Sequence, residues 1–355
     1  MASTTTLPPA PASAPGPRGD ERMGRRSPFQ KLLGRPEVGA LVGAVVLFIF
    51  FSLVSSTFLQ PNAFATVLYG SSTIGIMAVG VSLLMIGGEF DLSAGVAVIS
   101  SALTASMFSW YFSMNVWVGV ALALVVSLGI GFVNGYILVK TKLPSFIVTL
   151  ATFLMLTGLN LALTRAIGGS VSSPSIATMD GFASARAVFA SDLNVGGVDI
   201  KIPIVYWVIL VLIASWILLR TKVGNWIFAA GGDANAARAV GVPVTKTKIG
   251  LFMAVGFCGW FLGMHNLFAF DAVQSGEGVG NEFLYIIAAV IGGCLLTGGY
   301  GSAVGGAIGA FIFGMANKGI VYAQWNPDWF KFFLGLMLLL ATIVNLIVKR
   351  RAELK

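Results

Sequence analysis

From about residue 38 to residue 348 the chain is a succession of apolar stretches, each close to the ~20 residues a helix needs to cross about 30 Å of hydrocarbon. They run 38–57, 63–86, 92–112, 115–139, 144–164, 202–220, 249–270, 283–297, 302–322 and 329–348. The expected fold is therefore all-α, a polytopic integral membrane protein with about ten transmembrane helices. Composition agrees. Apolar residues make up 57% of the chain and charged residues 10%, against roughly 25% charged in a soluble domain. A single water-facing globular fold is excluded, because too few charges remain to cover its surface.

Residues 1–37 have a different character, rich in Pro, Ala, Ser and Thr and then in arginine (Arg18, Arg22, Arg25, Arg26). They read as a disordered basic tail. The first apolar stretch is too long, and its polar leader far too long, for a cleaved signal peptide. It is expected to remain as a membrane helix.

The formal net charge of +8 acquires meaning from its distribution. With the amino terminus inside, the loops assigned to the inner face hold 17 of the 22 Lys and Arg residues, the bias expected of cytoplasmic loops. Arg165, Arg186, Lys201, Lys318 and Lys331 are left outside. Both termini are thus expected to be cytoplasmic, with 349–355 as a short inner tail. No basic stripe interleaved with exposed aromatics sits on a soluble domain, which removes nucleic acid as a partner.

Two connections are long. Residues 165–201 read as an external loop rich in Gly and Ser, a small cap over the outer mouth. Residues 221–248 are internal, with an alanine-rich centre that favours a helix. Asp233 is its natural N-cap and Gly241 its stop.

No phosphate-binding loop, zinc-protease motif or nucleophile elbow occurs, and neither cysteine nor the lone His265 has a partner at metal-ligand spacing. Catalysis, cofactors and metals are therefore not expected. The membrane-embedded sequence offers a path instead. Its most unusual feature is Gly87-Gly88-Glu89-Phe90-Asp91-Leu92-Ser93-Ala94-Gly95. Paired glycines interrupt a helix, Asp91 or Ser93 caps the next, and two carboxylates in an apolar setting face a cavity or an aqueous end rather than lipid. Glu89, Asp91 and Ser93, with His265 and Asn266 on the seventh span, are the candidate path or gate residues. A second break lies at Thr297–Ser302, and a shift of 211 positions superposes Gly87-Gly88 on Gly298-Gly299 as a weak internal repeat. Gly301, Gly305 and Gly309 recur every four residues, a small-residue face for close helix packing.

Four ordered segments carry a resemblance. These are Gly87–Gly95 (GGEFDLSAG), Val133–Leu150 (VNGYILVKTKLPSFIVTL), Ala230–Val242 (AGGDANAARAVGV) and Ala288–Gly309 (AAVIGGCLLTGGYGSAVGGAIG). Over residues 40–345 the chain resembles the membrane permease subunits of bacterial ATP-binding-cassette importers for simple sugars, the ribose, xylose, arabinose and galactose group. Many relatives have one apolar residue where this chain has Glu89-Phe90. The resemblance implies a non-catalytic subunit of the bacterial cytoplasmic (inner) membrane that forms a path for a monosaccharide or related polyol. It implies a second permease subunit, normally an identical one. Two cytoplasmic ATPase subunits or one fused tandem ATPase, and an extracytoplasmic sugar-binding protein, complete the assembly. The internal helix then corresponds to the coupling helix that docks on the ATPase, with Asp233, Asn235, Arg238 and Gly241 as its key residues. Asp271, Glu277 and Glu282 are the candidate docking residues for the binding protein. Two other readings stay open at this level: an ion-coupled secondary transporter using Glu89 and Asp91, and a permease for branched-chain amino acids.

Overall fold

A computed structural model of the chain describes residues 36–353, with side chains described for 37–343. The tail expected at 1–37 lies outside these residues except for its last two, which already belong to the first helix. Thirteen α-helices and one two-stranded hairpin are present among the described residues. In chain order they are α1 (Pro36–Val54), α2 (Pro61–Ile86), α3 (Ala94–Tyr111), α4 (Val116–Thr141), α5 (Ser145–Gly168), α6 (Phe182–Phe189), β1 (Asp192–Val195), β2 (Val198–Lys201), α7 (Ile202–Arg220), α8 (Lys222–Gly232), α9 (Ala234–Ala239), α10 (Val244–Phe270), α11 (Asn281–Ile291), α12 (Ala303–Tyr322) and α13 (Trp329–Glu353).

Eight helices are long and apolar enough to cross a bilayer: α1 to α5, α7, α10 and α12. The chain is a polytopic helical membrane protein. The stretch expected to span at 283–297 is different. Only α11 is helical there, 11 residues or about 16 Å at 1.5 Å per residue, half of what a span needs. The last helix, α13, is apolar over Trp329–Ile343 and continues to Glu353, so most of the expected 349–355 tail is helical.

Helices α2, α3, α10 and α12 form the centre, with most of their spanning windows buried inside the protein, whereas α1 is only 17% buried. Lipid is as apolar as leucine, so no hydrophobic drive brings these helices together, and close packing must do it. Small residues supply the approach. A Cβ on Gly131 of α4 would overlap the Phe252 carbonyl of α10, and Ser127 Oγ donates to Gly256 O at 2.8 Å across the same pair. Gly305 and Gly309 of α12 pack in the same way on Gly292 and Ala288 beside α11. Gly301 is outside this face; it precedes the helix with φ +147° and faces Cys294.

The connection 165–201 holds α6 and the hairpin, an exception to the all-α expectation. Gly196 and Gly197, both at positive φ, make the two-residue turn, and Val195 pairs Val198 across it. Residues 171–176 are zipped to 271–275 by Ser173 N to Val273 O, Ser275 N to Val171 O and Ile176 N to Asp271 O, all within 3.1 Å. The connection 221–248 contains more helix than its glycines suggest. Its first part is α8, capped by the Thr221 hydroxyl on Gly224 N, and α10 begins at Val244 rather than 249.

The shift of 211 does not superpose like on like, whereas two helix ends are built alike at another spacing. Helix α2 ends in a Schellman motif, with Gly88 at φ +83°, Gly88 N on Met85 O and Glu89 N on Leu84 O. Helix α11 ends identically, with Gly293 at φ +95°, Gly293 N on Val290 O and Cys294 N on Ala289 O. Ile86-Gly87-Gly88 thus corresponds to Ile291-Gly292-Gly293, a shift of 205. The Gly298-Gly299 pair does something else.

It meets Gly87-Gly88 and Gly231-Gly232 at one point. Gly299 N donates to the Ile86 carbonyl at 2.8 Å, taking up an acceptor that the end of α2 leaves free. A Cβ on Gly298 would come within 2.6 Å of Gly88 Cα, and one on Gly231 would overlap the Ile86 oxygen. Three elements distant in sequence touch backbone to backbone. Gly231→Ala is expected to lower the melting temperature of the detergent-solubilised protein markedly, by ~1–3 kcal/mol of overpacking. Gly232→Ala, next to it but with open space around its Cβ position, is expected to leave the melt within ~0.5 kcal/mol of the parent.

Candidate functional site

Between α2 and α3 the backbone of residues 87–93 is irregular, and Gly87, Glu89, Asp91, Leu92 and Ser93 are buried. Irregular backbone that is buried must find partners inside the protein. Helix α5 provides them. Phe90 N donates to Ser145 Oγ and Leu92 N to Thr149 Oγ1, each at 3.1 Å. Ser145 and Thr149 are one turn apart, matching the two-residue advance of extended chain beside them. The segment is a buried break in a helix, not a solvent-exposed turn.

Asp91 closes the break. Its Oδ1 accepts from Ser93 N at 2.8 Å and from Ser93 Oγ at 2.5 Å. Ser93 occupies the N-cap position without a side-chain capping bond, so Asp91 shapes the turn that precedes α3 and does not cap its second or third residue. Asn134 Nδ2 donates to Ser93 Oγ at 3.0 Å, and Thr152 Oγ1 donates to Asn134 Oδ1 at 2.6 Å. Asp91, Ser93, Asn134 and Thr152 form one buried chain of hydrogen bonds through α3, α4 and α5.

Glu89 points the other way. It forms an ion pair with Lys248 of α10, and the side chains are 10% and 13% exposed respectively. Lys248 lies five residues into α10, and α9 lies immediately before that helix. One charge pair therefore ties the segment carrying α9 to the break, beside the contact that Gly231 makes with Ile86 and Gly88. All four sequence motifs meet in this one region.

Helix α9 is held by one residue. Ala237 packs with Ala230 and Val244, while Asn235, Arg238 and Val240 are exposed. Asp233 caps the helix as expected, accepting from Asn235 N at 2.8 Å and Ala236 N at 3.0 Å. The bonds from Ala236 and Asn235 hold its carboxyl below the usual range. Arg238 Nη1 donates to Asn235 Oδ1 at 2.9 Å, and Gly241 turns the chain at φ +84°.

The remaining predicted residues lie elsewhere. His265 is 2% exposed and both ring nitrogens are engaged, Nε2 with Tyr69 Oη at 2.9 Å and Nδ1 with Phe189 O at 2.8 Å. Asn266 beside it is half-buried. Neither approaches the break. Of the three acids assigned to docking, Glu277 is exposed and Asp271 half-buried at the left-handed end of α10. Glu282 is 2% exposed and folds back to accept from Gly280 N, so it fixes the turn before α11 instead of presenting a surface. Sequence reading missed Ser145, Asn134, Thr149, Thr152 and Lys248. The first four are polar side chains in apolar helices, which is a signal in itself. An intramembrane glutamate also demands a cation, and Lys248 is the partner it finds.

The chain also matches known proteins. The sequence profile of the family described as "Branched-chain amino acid transport system / permease component" fits residues 63–342. The ribose import permease protein of Escherichia coli strain K12 is 31% identical over 312 residues, covering 87% of this chain and 93% of its own length. The galactose/methyl galactoside import permease protein of Haemophilus influenzae is 30% identical, covering 81% and 88%. The fructose import permease protein of Rhizobium meliloti is 26% identical, covering 89% and 86%. No solved structure matches.

Breaking the Glu89–Lys248 pair from one side strands a charge in the interior. Glu89→Gln is expected to destabilise the solubilised protein by about 3 kcal/mol or more, while Glu89→Met combined with Lys248→Met recovers most of the loss. Thermal unfolding of the two variants beside the parent measures this.

Proposed function

The chain belongs to the permease family that its profile and relatives define, and from that premise we propose that it is the membrane permease subunit of an ATP-driven importer for a monosaccharide or related polyol. The curated relatives it matches over most of its length are import permeases for ribose, galactose or fructose, and this observation carries the sugar assignment. The family description names branched-chain amino acids, so leucine is the comparison solute in any assay.

In this reading the end of the molecule that carries α9 is cytoplasmic and the end that carries α6 and the hairpin is extracytoplasmic. Both termini inside and residence in the bacterial inner membrane follow from the same reading. A second copy of the chain lies across the path, an extracytoplasmic binding protein docks over the hairpin end and the acids Asp271 and Glu277, and ATPase subunits dock on α9. Hydrolysis belongs to those subunits. This chain supplies the path and its response.

The mechanism is alternating access driven from α9. Its exposed face, Asn235, Arg238 and Val240, is free to seat in a groove of the ATPase, and closure of the ATPase dimer displaces it. Displacement passes to the break by two short routes. One is the glycine contact of Gly231 with Ile86 and Gly88, which transmits push because backbone atoms in contact have no side-chain freedom to absorb it. The other is Lys248 on Glu89. The break is the natural element to move, because its hydrogen bonds run to the hydroxyls of Ser145 and Thr149 and can be exchanged without unwinding a helix.

Reconstitution with the ATPase and binding protein in liposomes tests the assignment. ATP-dependent uptake of labelled ribose, galactose or fructose is expected, with none of leucine; uptake of leucine alone, or uptake driven by an ion gradient without the ATPase, would overturn it. Asp233→Ala is expected to abolish stimulation of the ATPase by the loaded binding protein, and Asp233→Asn, which keeps the cap acceptor, to retain most of it. The same cap has a pH signature. A depressed carboxyl contributes above its unfolded value and loses its contribution as pH falls through the lower folded value. Stimulation should therefore be flat from neutral down to the ordinary carboxylate range and fail only below it.

A further inference from the structure

At the hairpin end, the first three turns of α2 expose a polar line on an otherwise apolar membrane helix. Asn62, Thr66 and Tyr69 stand at intervals of four and three, which places them on one face. Opposite them are Asp199 and Lys201 of β2, and between the two elements is a cavity of about 230 Å3. Apart from Ala65, every lining side chain is polar. Nothing in the fold requires that. Helix packing in lipid is served by small apolar residues, and here five hydrogen-bonding side chains surround empty space.

Their bonding state leaves capacity for a ligand. The Asn62 amide has no partner among the described residues, and the Thr66 hydroxyl donates to Asn62 O at 2.9 Å while its lone pairs stay open. Asp199 uses Oδ1 for Asn194 Nδ2 at 2.8 Å, leaving Oδ2. Lys201 bonds Asp192 at 2.7 Å in a pair that is nearly half exposed and readily shared. Tyr69 forms the floor, held by His265 at 2.9 Å. A cation also lies beside this part of α2. Lys318 of α12, within a spanning helix, lays its Cε 3.5 Å from where a Gly70 Cβ would stand, and it has no carboxylate partner among the described residues. Lys318 is four residues from the end of its helix, close enough for its ammonium to reach the aqueous interface.

We propose that this cavity is a contact station for a neutral polyhydroxylated solute on its way into the path. The chemistry selects the class. Donors and acceptors of both kinds line the cavity, Lys201 is already paired with Asp192, and an aromatic ring faces the space. An anionic phosphate group would meet Asp199, and a purely aliphatic solute would leave the polar groups of Asn62, Thr66 and Asp199 unpaired. The inference deepens the importer reading and rests on it.

The test uses the complete importer in liposomes with Asn62→Leu combined with Thr66→Val, both at exposed positions where folding tolerates change. Removing two hydrogen-bonding groups is expected to lower ribose, galactose or fructose uptake roughly fivefold to tenfold or more, with ATPase stimulation by the loaded binding protein unchanged. Discrimination against 2-deoxyribose should also shrink. Uptake at the parental rate overturns the proposal, and so does an equal loss of uptake and ATPase stimulation, which marks a structural role. Failure of the parent importer to move any sugar is a separate result and falls on the importer reading itself. Thr66→Cys gives an independent readout, because the native Cys258 and Cys294 are buried. Labelling from the outer side by a membrane-impermeant thiol reagent is expected, slowed by millimolar sugar without binding protein. A Thr66→Cys side chain that resists the reagent, or reacts at the same rate with and without sugar, overturns it.

Discussion

Buried backbone that leaves helical geometry has to be given hydrogen-bond partners by the protein, and the architecture described here is organised around that demand. Residues 87–93 are mostly buried, irregular and continuous with two long helices. Their amides reach the hydroxyls of Ser145 and Thr149, their turn is closed by Asp91, and the carbonyl left at Ile86 is taken by Gly299. Each partner comes from a different part of the chain. Helices α4, α5 and α12 are positioned by what the break requires of them, and the four segments that stood out in the sequence prove to be one assembly.

Glycine has a second role at this point. Where α2 ends, where α8 ends and where the chain turns into α12, paired glycines allow three backbones to touch. Side chains at such a contact would adapt to a displacement by changing rotamer, whereas bare backbone passes it on. The buried Glu89–Lys248 pair adds a charged link between the same two elements.

Much of this was legible in the sequence. The polytopic helical class, the helix at Ala234–Ala239 with its Asp233 cap, and the break at Gly87–Ser93 all follow from hydropathy, propensity and the cost of buried charge. The errors have physical causes. Glycines in 221–232 signal turns by propensity, yet Gly224 and Gly231 are there because neighbouring backbone leaves no room for a Cβ, and the helix tolerates them. The span expected at 283–297 is apolar because its turn is buried, so hydropathy could not separate helix from irregular chain. Glu282 was chosen for its charge, and burial shows that it folds back on the turn before α11.

What the sequence determined by itself is the class: a charge-poor chain of apolar stretches has only the membrane as its solvent, and local rules suffice to place most of its helices, caps and breaks, because those depend on residues within a turn or two of each other. What only the tertiary structure decided is which of the polar residues act together. Asp91 with Asn134 and Thr152, Glu89 with Lys248, and Gly88 with Gly231 and Gly298 are separated by up to some 200 positions. Their pairing is set by how helices pack through small residues, a property of surfaces in contact that no single stretch of chain contains.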